Sequence, residues 1–298
     1  MIKLIVIVGP NASGKTSLSI KLAKKFNGEV VSADSRQVYK GMDIGTGKVT
    51  KKEMQGIPHY LLDMANPKKR FTVVQYQKLA LAKIKKIHNK GKLPFLVGGT
   101  GFYIQSVVDG IVIPKVKPDW KLRKQLEKKS VAELFKILKK LDPKRAQSID
   151  KDNPRRLIRA LEIILKTGKP VPPLTCRELF PTSFNVLEIG IKKSPDKLKT
   201  LIKKRLLKRL KQGMAEEVKK LHKSGLSWKR LEEFGLEYRF VAQYLQSKLT
   251  YQQMINKIQK ESEHFAKRQM TWFKKDKRIR WIINNNDAIR LIDKFIKK

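Results

Sequence analysis

The chain has 298 residues, 41% of them hydrophobic, which is enough for one large domain or for a core domain with a smaller insert. Its 68 Lys and Arg against 26 Asp and Glu give a net charge of +42. No segment approaches the roughly 20 apolar residues of a membrane span, and the single cysteine, Cys176, excludes an internal disulfide. The four histidines show no metal-ligand spacing. We therefore expect a cytoplasmic protein without a structural zinc site.

The excess of positive charge has two interpretations. Lysines can simply decorate solvated surfaces, and the many Lys-Lys pairs fit that interpretation. Alternatively, the charge serves a polyanionic partner, either nucleic acid or an acidic membrane. Composition alone does not choose between them.

A complete phosphate-binding loop follows the apolar run from Leu4 to Val8. Its pattern is G-x-x-x-x-G-K-[ST], formed by Gly9, Pro10, Asn11, Ala12, Ser13, Gly14, Lys15 and Thr16. Glycines let backbone N–H groups converge on an anion, and the helix predicted to start at Ser17 directs its positive end to the same place. Lys15 is predicted to neutralise the outer phosphate, and the Thr16 hydroxyl to hold a magnesium ion. The loop therefore predicts a di- or triphosphate site.

The next segments alternate between strands and helices. Strands are predicted over 29–32 and 93–97, and helices over 75–88 and 102–108. This alternation is typical of an α/β fold with a parallel sheet and crossover helices. Ligands of such sheets lie at the carboxyl ends of the strands, where the phosphate loop, Asp34 and Thr100 all fall. We expect these three features to converge.

From about Pro114 the sequence becomes lysine-rich, with apolar residues at helical spacing. A strand over 186–191 then returns to the parent sheet. We therefore predict a helical insertion domain at 115–183 and a phosphate-loop core formed by 1–114 and 184–298. After that strand we predict one long amphipathic helix over 197–221, with Lys203, Lys204, Lys208 and Lys211 on its polar face, and C-terminal helices at about 237–247 and 250–273.

Asp34 lies at a strand end, beside three residues that can form hydrogen bonds, Ser35, Arg36 and Gln37. An aspartate there can cap a turn, or it can act as a general base or magnesium partner next to the phosphate loop. The position favours the second role. The segment 43–48 is either a flexible polar loop or a contact to substrate.

Two basic segments have similar alternatives. Arg155, Arg156 and Arg159 lie on one predicted helix, where they form either a solvated face or a grip on a leaving diphosphate or an RNA backbone. The segment 267–273 interleaves basic and aromatic residues, which fits contacts to RNA. Its aromatic residues, Trp272 and Phe273, are in the first place expected to belong to the core.

Seven collinear motifs make the chain resemble the tRNA dimethylallyltransferases, a family that prenylates an adenine next to the anticodon. The motifs are the phosphate loop and the segments 34–39, 42–48, 56–63, 96–103, 153–162 and 267–272. Together they cover most of the chain in order. Phe234-Gly235-Leu236-Glu237-Tyr238-Arg239 departs from the Ile-Gly-Tyr-Arg-like motif of many members. The cysteine and histidine pairs of the zinc finger of some eukaryotic members are missing, which favours a bacterial-type enzyme.

The resemblance implies a mechanism. Dimethylallyl diphosphate would place its diphosphate on the phosphate loop with magnesium, and a flipped-out adenine would enter from the opposite side. Asp34 would take a proton from the exocyclic N6 of the adenine as this nitrogen attacks the allylic carbon. Lys15, Thr16, Arg159 and magnesium would stabilise the departing diphosphate.

The family also implies the tRNA contacts. Thr100 and Arg123 would touch the tRNA, while Ser35, Arg36 and Gln37 would line the adenine pocket. The insert, including Arg155 and Arg156, would clasp the anticodon stem-loop of a tRNA bound by a monomeric enzyme. Three alternatives remain: an adenylate (free-nucleotide) isopentenyltransferase, a P-loop small-molecule kinase, and an RNA-binding protein without catalytic activity.

Overall fold

The computed structural model describes residues 1–114, 116–172 and 184–297. The chain forms two compact units. The first combines Met1–Gly110 with Phe180–Lys298, and the second is Ile111–Leu179. The predicted insert boundaries were 115 and 183. The C-terminal boundary of the predicted insert, residue 183, and Cys176 lie outside the described residues.

Within the described residues, the first unit contains one parallel sheet of six strands in the order β3-β2-β4-β1-β5-β6. The strands are β1 Ile2–Val8, β2 Gly28–Ala33, β3 His59–Tyr60, β4 Leu93–Gly98, β5 Phe184–Ile191 and β6 Arg280–Ile282. The predicted return of the chain at 186–191 is confirmed, because β5 pairs with the central strand β1. The short β3 and β6 were not predicted.

Helices cover both faces of the sheet because the side chains of β1 alternate between two apolar cores. Ile5 and Ile7 pack with α1 (Lys15–Lys25) and α14 (Asn285–Lys297). Leu4, Val6 and Val8 pack on the opposite face with α3 (Val73–Asn89) and α4 (Gly101–Val108). The prediction of an α/β fold with a parallel-sheet core is confirmed. The short helix α2, Lys51–Met54, was not predicted.

The first unit also contains a group of helices that pack on the segment after β2. Between β5 and β6 these are α9 Pro195–Lys211, α10 Met214–Lys223, α11 Trp228–Glu233, α12 Leu236–Leu245 and α13 Tyr251–Phe273. Side chains from this group form one core with Val38 and Met42. The prediction of a single helix over 197–221 is wrong. The helix breaks at Gly213, whose φ of +91° lies in the left-handed region, so that α9 ends at Lys211 and α10 begins at Met214.

The second unit is built from helices. They are α5 Trp120–Leu126, α6 Val131–Leu141, α7 Pro143–Ser148 and α8 Pro154–Thr167. Its core is a cluster of leucine, isoleucine and alanine side chains at helical spacing, which includes Leu134, Leu138, Leu157 and Leu161. Pro154 starts α8, and Gly168, with a φ of +65°, ends it. No helix in the described ranges is long and apolar enough to cross a membrane.

Candidate active site

The phosphate loop leaves the central strand and wraps around the start of α1. Gly9 has a φ of +152° and Gly14 a φ of +95°, which side-chain-bearing residues rarely adopt. A Cβ on Gly9 would lie 3.0 Å from Oγ of Ser13 and 3.3 Å from the carbonyl oxygen of Ile191. The N–H groups of the first turn of α1 have no carbonyl partner within the helix. This geometry forms an anion cradle.

Lys15 folds back over its own loop. Its Nζ donates hydrogen bonds to the carbonyl oxygens of Gly9, at 3.0 Å, and Pro10, at 2.8 Å. Burial and, to a smaller extent, the charge of Arg205 lower the pKa of Lys15, and the charge of Asp34 raises it; the net result is a pKa of about 7. A bound phosphate would supply the missing negative charge, so this lysine is poised to respond to an anion.

Arg205 of α9 is a site residue that the sequence analysis missed. Its Nη1 donates to Oδ1 of Asn11 at 2.7 Å. Burial, with the charge of Arg209, lowers the pKa of Arg205 to about 10, so the guanidinium stays charged at neutral pH. One signal was available: Arg205 and Arg209 are the two arginines of an otherwise lysine-rich helix, and they lie one turn apart.

The same two arginines fix the segment 43–48. A Cβ on Gly47 would lie 1.8 Å from Nη2 of Arg209 and 2.2 Å from Nη2 of Arg205. Arg209 also donates to the carbonyl oxygen of Gly45 at 3.1 Å and pairs with Glu237 at 2.8 Å. The segment is therefore a packed wall beside the phosphate loop and not a flexible polar loop.

The carboxylate of Glu217 fixes the other end of this wall. It accepts the N–H groups of Asp43, Ile44 and Gly45 at 2.6–3.0 Å, and the Tyr238 hydroxyl at 2.7 Å. Tyr238 belongs to the segment that departs from the family motif. That segment therefore has a structural role here.

Asp34 follows the last residue of β2. Its Oδ1 accepts the N–H groups of Arg36 at 2.8 Å and Gln37 at 3.2 Å, so the aspartate does form a turn. Among the described residues, its other oxygen, Oδ2, accepts no hydrogen bond. The charge of Asp34 acts on the pKa values of both Lys15 and Arg205. The turn role and a proton-accepting role are compatible, because they use different oxygens.

Thr100 lies directly against the turn of Asp34. Its N–H donates to the carbonyl oxygen of Ala33 at 3.2 Å, and its Oγ1 accepts the N–H of Ser35 at 3.0 Å. A Cβ on Gly98 would lie 2.1 Å from the Ala33 carbonyl oxygen, so this approach requires a glycine. The structure thus brings Asp34 and Thr100 together and places the charge of Asp34 beside Lys15, as the strand-end argument predicts.

The other predicted pocket residues lie around this turn. The Arg36 guanidinium is 5.7 Å from the Phe234 ring centroid, and burial lowers its pKa. Gln37 donates from Nε2 to the carbonyl oxygen of Gly47 at 3.2 Å, which joins the turn to the 43–48 wall. Phe273 is buried in the core as expected, whereas Trp272 is 38% exposed.

The second unit holds the predicted arginines of the insert. Arg123 and Arg159 both pair with Glu162, whose side chain is fully buried. Burial would raise the pKa of Glu162, but hydrogen bonds from Arg123, from the Asp119 N–H and from Arg159 hold it at about 2. Arg155 and Arg156 are exposed, and Arg156 lies 3.4 Å from Asp150. Arg123 and Arg159 therefore stabilise the insert, and their predicted contacts to ligands stay predictions.

Within residues 1–114, 116–172 and 184–297, no three His, Cys, Asp or Glu side chains are placed to hold a metal ion together. The side-chain oxygens that the phosphate loop and the neighbouring turn offer are instead those of Thr16, an exposed residue, and of Asp34. Few protein ligands and a hydroxyl at the loop suit a magnesium ion that takes its other ligands from phosphate and water.

Comparisons with known proteins agree with this geometry. A family model described as IPP transferase matches residues 37–276. The tRNA dimethylallyltransferase of Anoxybacillus flavithermus is 41% identical over 288 residues, 96% of this chain and 92% of the relative. The crystal structure of the full-length tRNA isopentenylpyrophosphate transferase from Bacillus halodurans is similar with a TM-score of 0.74 and 38% identity, over 100% of this chain and 96% of that one.

A more distant solved structure has the same architecture. It is a eukaryotic dimethylallyltransferase acting on tRNA, with a TM-score of 0.75 and 29% identity, and the match covers 92% of this chain and 70% of that one. The segment that matches the family model starts at Gln37, whereas the match to the Bacillus halodurans structure covers the whole chain and so includes the phosphate loop and Asp34.

Proposed function

This chain belongs to the IPP transferase family, and we propose that it is a tRNA dimethylallyltransferase. It transfers the dimethylallyl group of dimethylallyl diphosphate to the exocyclic N6 of adenine 37, next to the anticodon on its 3′ side, and releases diphosphate. The observation that supports this most directly is the juxtaposition of an anion cradle with the Asp34–Thr100 turn. A donor phosphate and an acceptor amine can meet there.

The donor binds through its diphosphate on the loop formed by residues 9–16. The N–H groups at the start of α1 hold the anion, and Lys15 exchanges its backbone carbonyl partners for phosphate oxygens. Arg205 adds a second charge that does not depend on pH in the neutral range. These groups become most effective as negative charge develops on the leaving group.

The acceptor reacts on the side of the Asp34 turn. A bond forms between N6 of the adenine and the allylic carbon, while the bond between this carbon and the diphosphate oxygen breaks and its electron pair leaves with diphosphate. The proton on N6 passes to the free oxygen of Asp34. Thr100 holds the turn through Ser35, so that this carboxylate keeps its orientation.

Magnesium fits the loop through the Thr16 hydroxyl, with Asp34 as the nearby carboxylate. When bound, it would neutralise charge on the diphosphate oxygens. The protein residues would still provide the grip on the anion and the acceptor for the proton.

The tRNA contacts come from two groups of residues. Ser35, Arg36, Gln37 and Thr100 line the adenine pocket. Arg123, Arg155, Arg156 and Arg159 of the insert face the anticodon stem-loop. The net charge of +42 favours this polyanion, and tRNA binding should weaken as salt rises and counterion release loses its advantage. We propose that the enzyme acts as a monomer in the cytoplasm, where its tRNA substrates occur.

A transfer assay separates this function from its alternatives. The protein is incubated with labelled dimethylallyl diphosphate and Mg²⁺ in parallel with unmodified tRNA, AMP and ADP. Label in tRNA alone is expected. Label in AMP or ADP alone would identify a free-nucleotide prenyltransferase and contradict the proposal. In a separate incubation with ATP, phosphoryl transfer without any prenyl transfer in the first assay would identify a kinase.

A further inference from the structure

Gln269 of α13 connects two loops that leave neighbouring strands of the sheet. Its Oε1 accepts the N–H of Asn11 at 2.7 Å, and its Nε2 donates to the carbonyl oxygen of Gly99 at 2.9 Å. The side chain is 8% exposed. Asn11 belongs to the phosphate loop, and Gly99 to the turn after β4. One buried amide therefore spans two loops that lie 258 and 170 residues away in sequence.

The local geometry is built around this amide. A Cβ on Gly99 would lie 2.3 Å from Nε2 of Gln269, so any other residue at 99 would displace it. The planar amide of a glutamine carries one acceptor, Oε1, and one donor group, Nε2. It can therefore bond to an N–H on one loop and to a carbonyl oxygen on the other. Glutamate cannot donate, and methionine of similar length can do neither.

The contacts on both sides of Gln269 extend the connection. Asn11 also accepts a hydrogen bond from Arg205, one of the residues proposed to bind the diphosphate of the prenyl donor. Gly99 is followed by Thr100, which accepts the N–H of Ser35 in the turn of Asp34. A continuous path thus runs from Arg205 through Asn11, Gln269 and Gly99 to Thr100.

We propose that Gln269 is a positioning residue that couples the donor site to the acceptor site. The inference rests on the proposed function, which assigns the diphosphate to the loop and the adenine to the Thr100 turn. When diphosphate fixes the loop at Asn11, the amide holds the turn at Gly99 in the geometry that accepts RNA. Such coupling is reciprocal, so bound RNA tightens diphosphate binding by the same factor.

The experiment measures binding and not turnover. The affinity of the full-length protein for a 17-nucleotide anticodon stem-loop RNA is determined in Mg²⁺ with and without saturating inorganic diphosphate. In the wild type we expect diphosphate to tighten RNA binding by roughly 5-fold or more, the lower end of usual coupling factors. In Gln269→Met this ratio should fall to about 1, with RNA affinity in the absence of diphosphate changed by less than about 3-fold.

Two further variants make the test decisive. Gln259→Met on the same helix removes an amide whose hydrogen bond among the described residues goes to Glu263, one turn away, and it should retain the wild-type ratio. Gln269→Glu keeps the acceptor for Asn11 but loses the donor to Gly99, and it should lose most of the ratio. The Gln269→Glu variant tests the coupling if Gln269→Met does not fold.

The outcomes are distinguishable from failure of the proposed function. An unchanged ratio in both Gln269 variants, or a wild-type ratio of 1, would overturn the coupling even if the enzyme prenylates tRNA. A lost ratio in the variants together with absent prenyl transfer by the wild type would support the coupling and contradict the proposed function.

Discussion

Nη1 of Arg205 lies 2.7 Å from Oδ1 of Asn11, so that α9 delivers a charged guanidinium to a phosphate loop that is 194 residues away in sequence. The loop itself supplies backbone N–H groups and one lysine, whose charge is partly suppressed by burial. Arg205 therefore supplies the anion site with a guanidinium that is fully protonated at neutral pH.

Replacing Arg205 should weaken the donor site. In Arg205→Ala we expect the affinity for dimethylallyl diphosphate to fall roughly 10- to 100-fold, since losing a hydrogen bond to a charged group costs about 1.5–3 kcal/mol. Affinity for tRNA should stay close to that of the wild type. Calorimetric titration of each ligand checks both expectations. Lys204→Ala, which removes an exposed charge from the same helix, is the matched control. An equal loss of donor affinity in both variants would mean that Arg205 acts only through its contribution to the overall charge and not through contact with the diphosphate.

Asp34→Asn should separate the two roles of this residue. The amide oxygen can still accept the N–H groups of Arg36 and Gln37, so the turn and the tRNA affinity should be retained. The rate of prenyl transfer should fall by about 10²-fold or more, because a general base is lost. Single-turnover rates at saturating tRNA measure the chemical step. Asp34→Ala, which also loses the turn, should in addition raise the KM for tRNA. Wild-type turnover in the Asn variant would refute the assignment of the base.

The pKa of Lys15 predicts a pH dependence of donor binding. Without ligand the pKa is about 7, so the lysine is charged below this pH and increasingly neutral above it. A diphosphate binds the charged form, and its affinity should therefore fall as pH rises from 6.5 to 8.5. Lys15→Arg keeps its charge throughout, so its affinity should fall less over the same range. Using inorganic diphosphate for both proteins cancels the ionisation of the ligand, and parallel pH profiles would contradict the lowered pKa.

Much of this arrangement follows from local patterns. The apolar run of β1, the glycines of the loop and the helical periodicity of 75–88 each determine their own structure, and the strand ends place Asp34 near Thr100. The contacts of Arg205 and Gln269 could not be assigned in this way, although the two arginines of α9 do distinguish Arg205 from the lysines around it. Their roles depend on which face of a distant helix packs on the loop, and one sequence shows only that both faces exist. Gly213 is the local signal in the sequence for the break between α9 and α10.

The ion pairs of Glu162 with Arg123 and Arg159 should make the stability of the protein depend on pH. The folded pKa of about 2 lies below the ordinary glutamate value of 4.5, so the ion pairs contribute stability that is fully present above about pH 4.5 and is lost as pH falls through 2. Glu162→Gln should destabilise the protein at pH 7 by about 2 kcal/mol, since it removes hydrogen bonds between charged groups. This difference from the wild type should shrink between pH 4.5 and 2, as followed by chemical denaturation. Glu127→Gln, at an exposed position, should have little effect at any pH.

The central claim is that the phosphate loop holds a prenyl donor whose carbon–oxygen bond breaks. The most direct test is mass spectrometry of the nucleosides and anticodon-loop fragments of unmodified tRNA after incubation with the pure protein, Mg²⁺ and dimethylallyl diphosphate. We predict N6-dimethylallyladenosine at position 37 and none when ATP replaces the donor. Unmodified adenosine at position 37, from a folded protein that binds both the tRNA and diphosphate, would contradict the account.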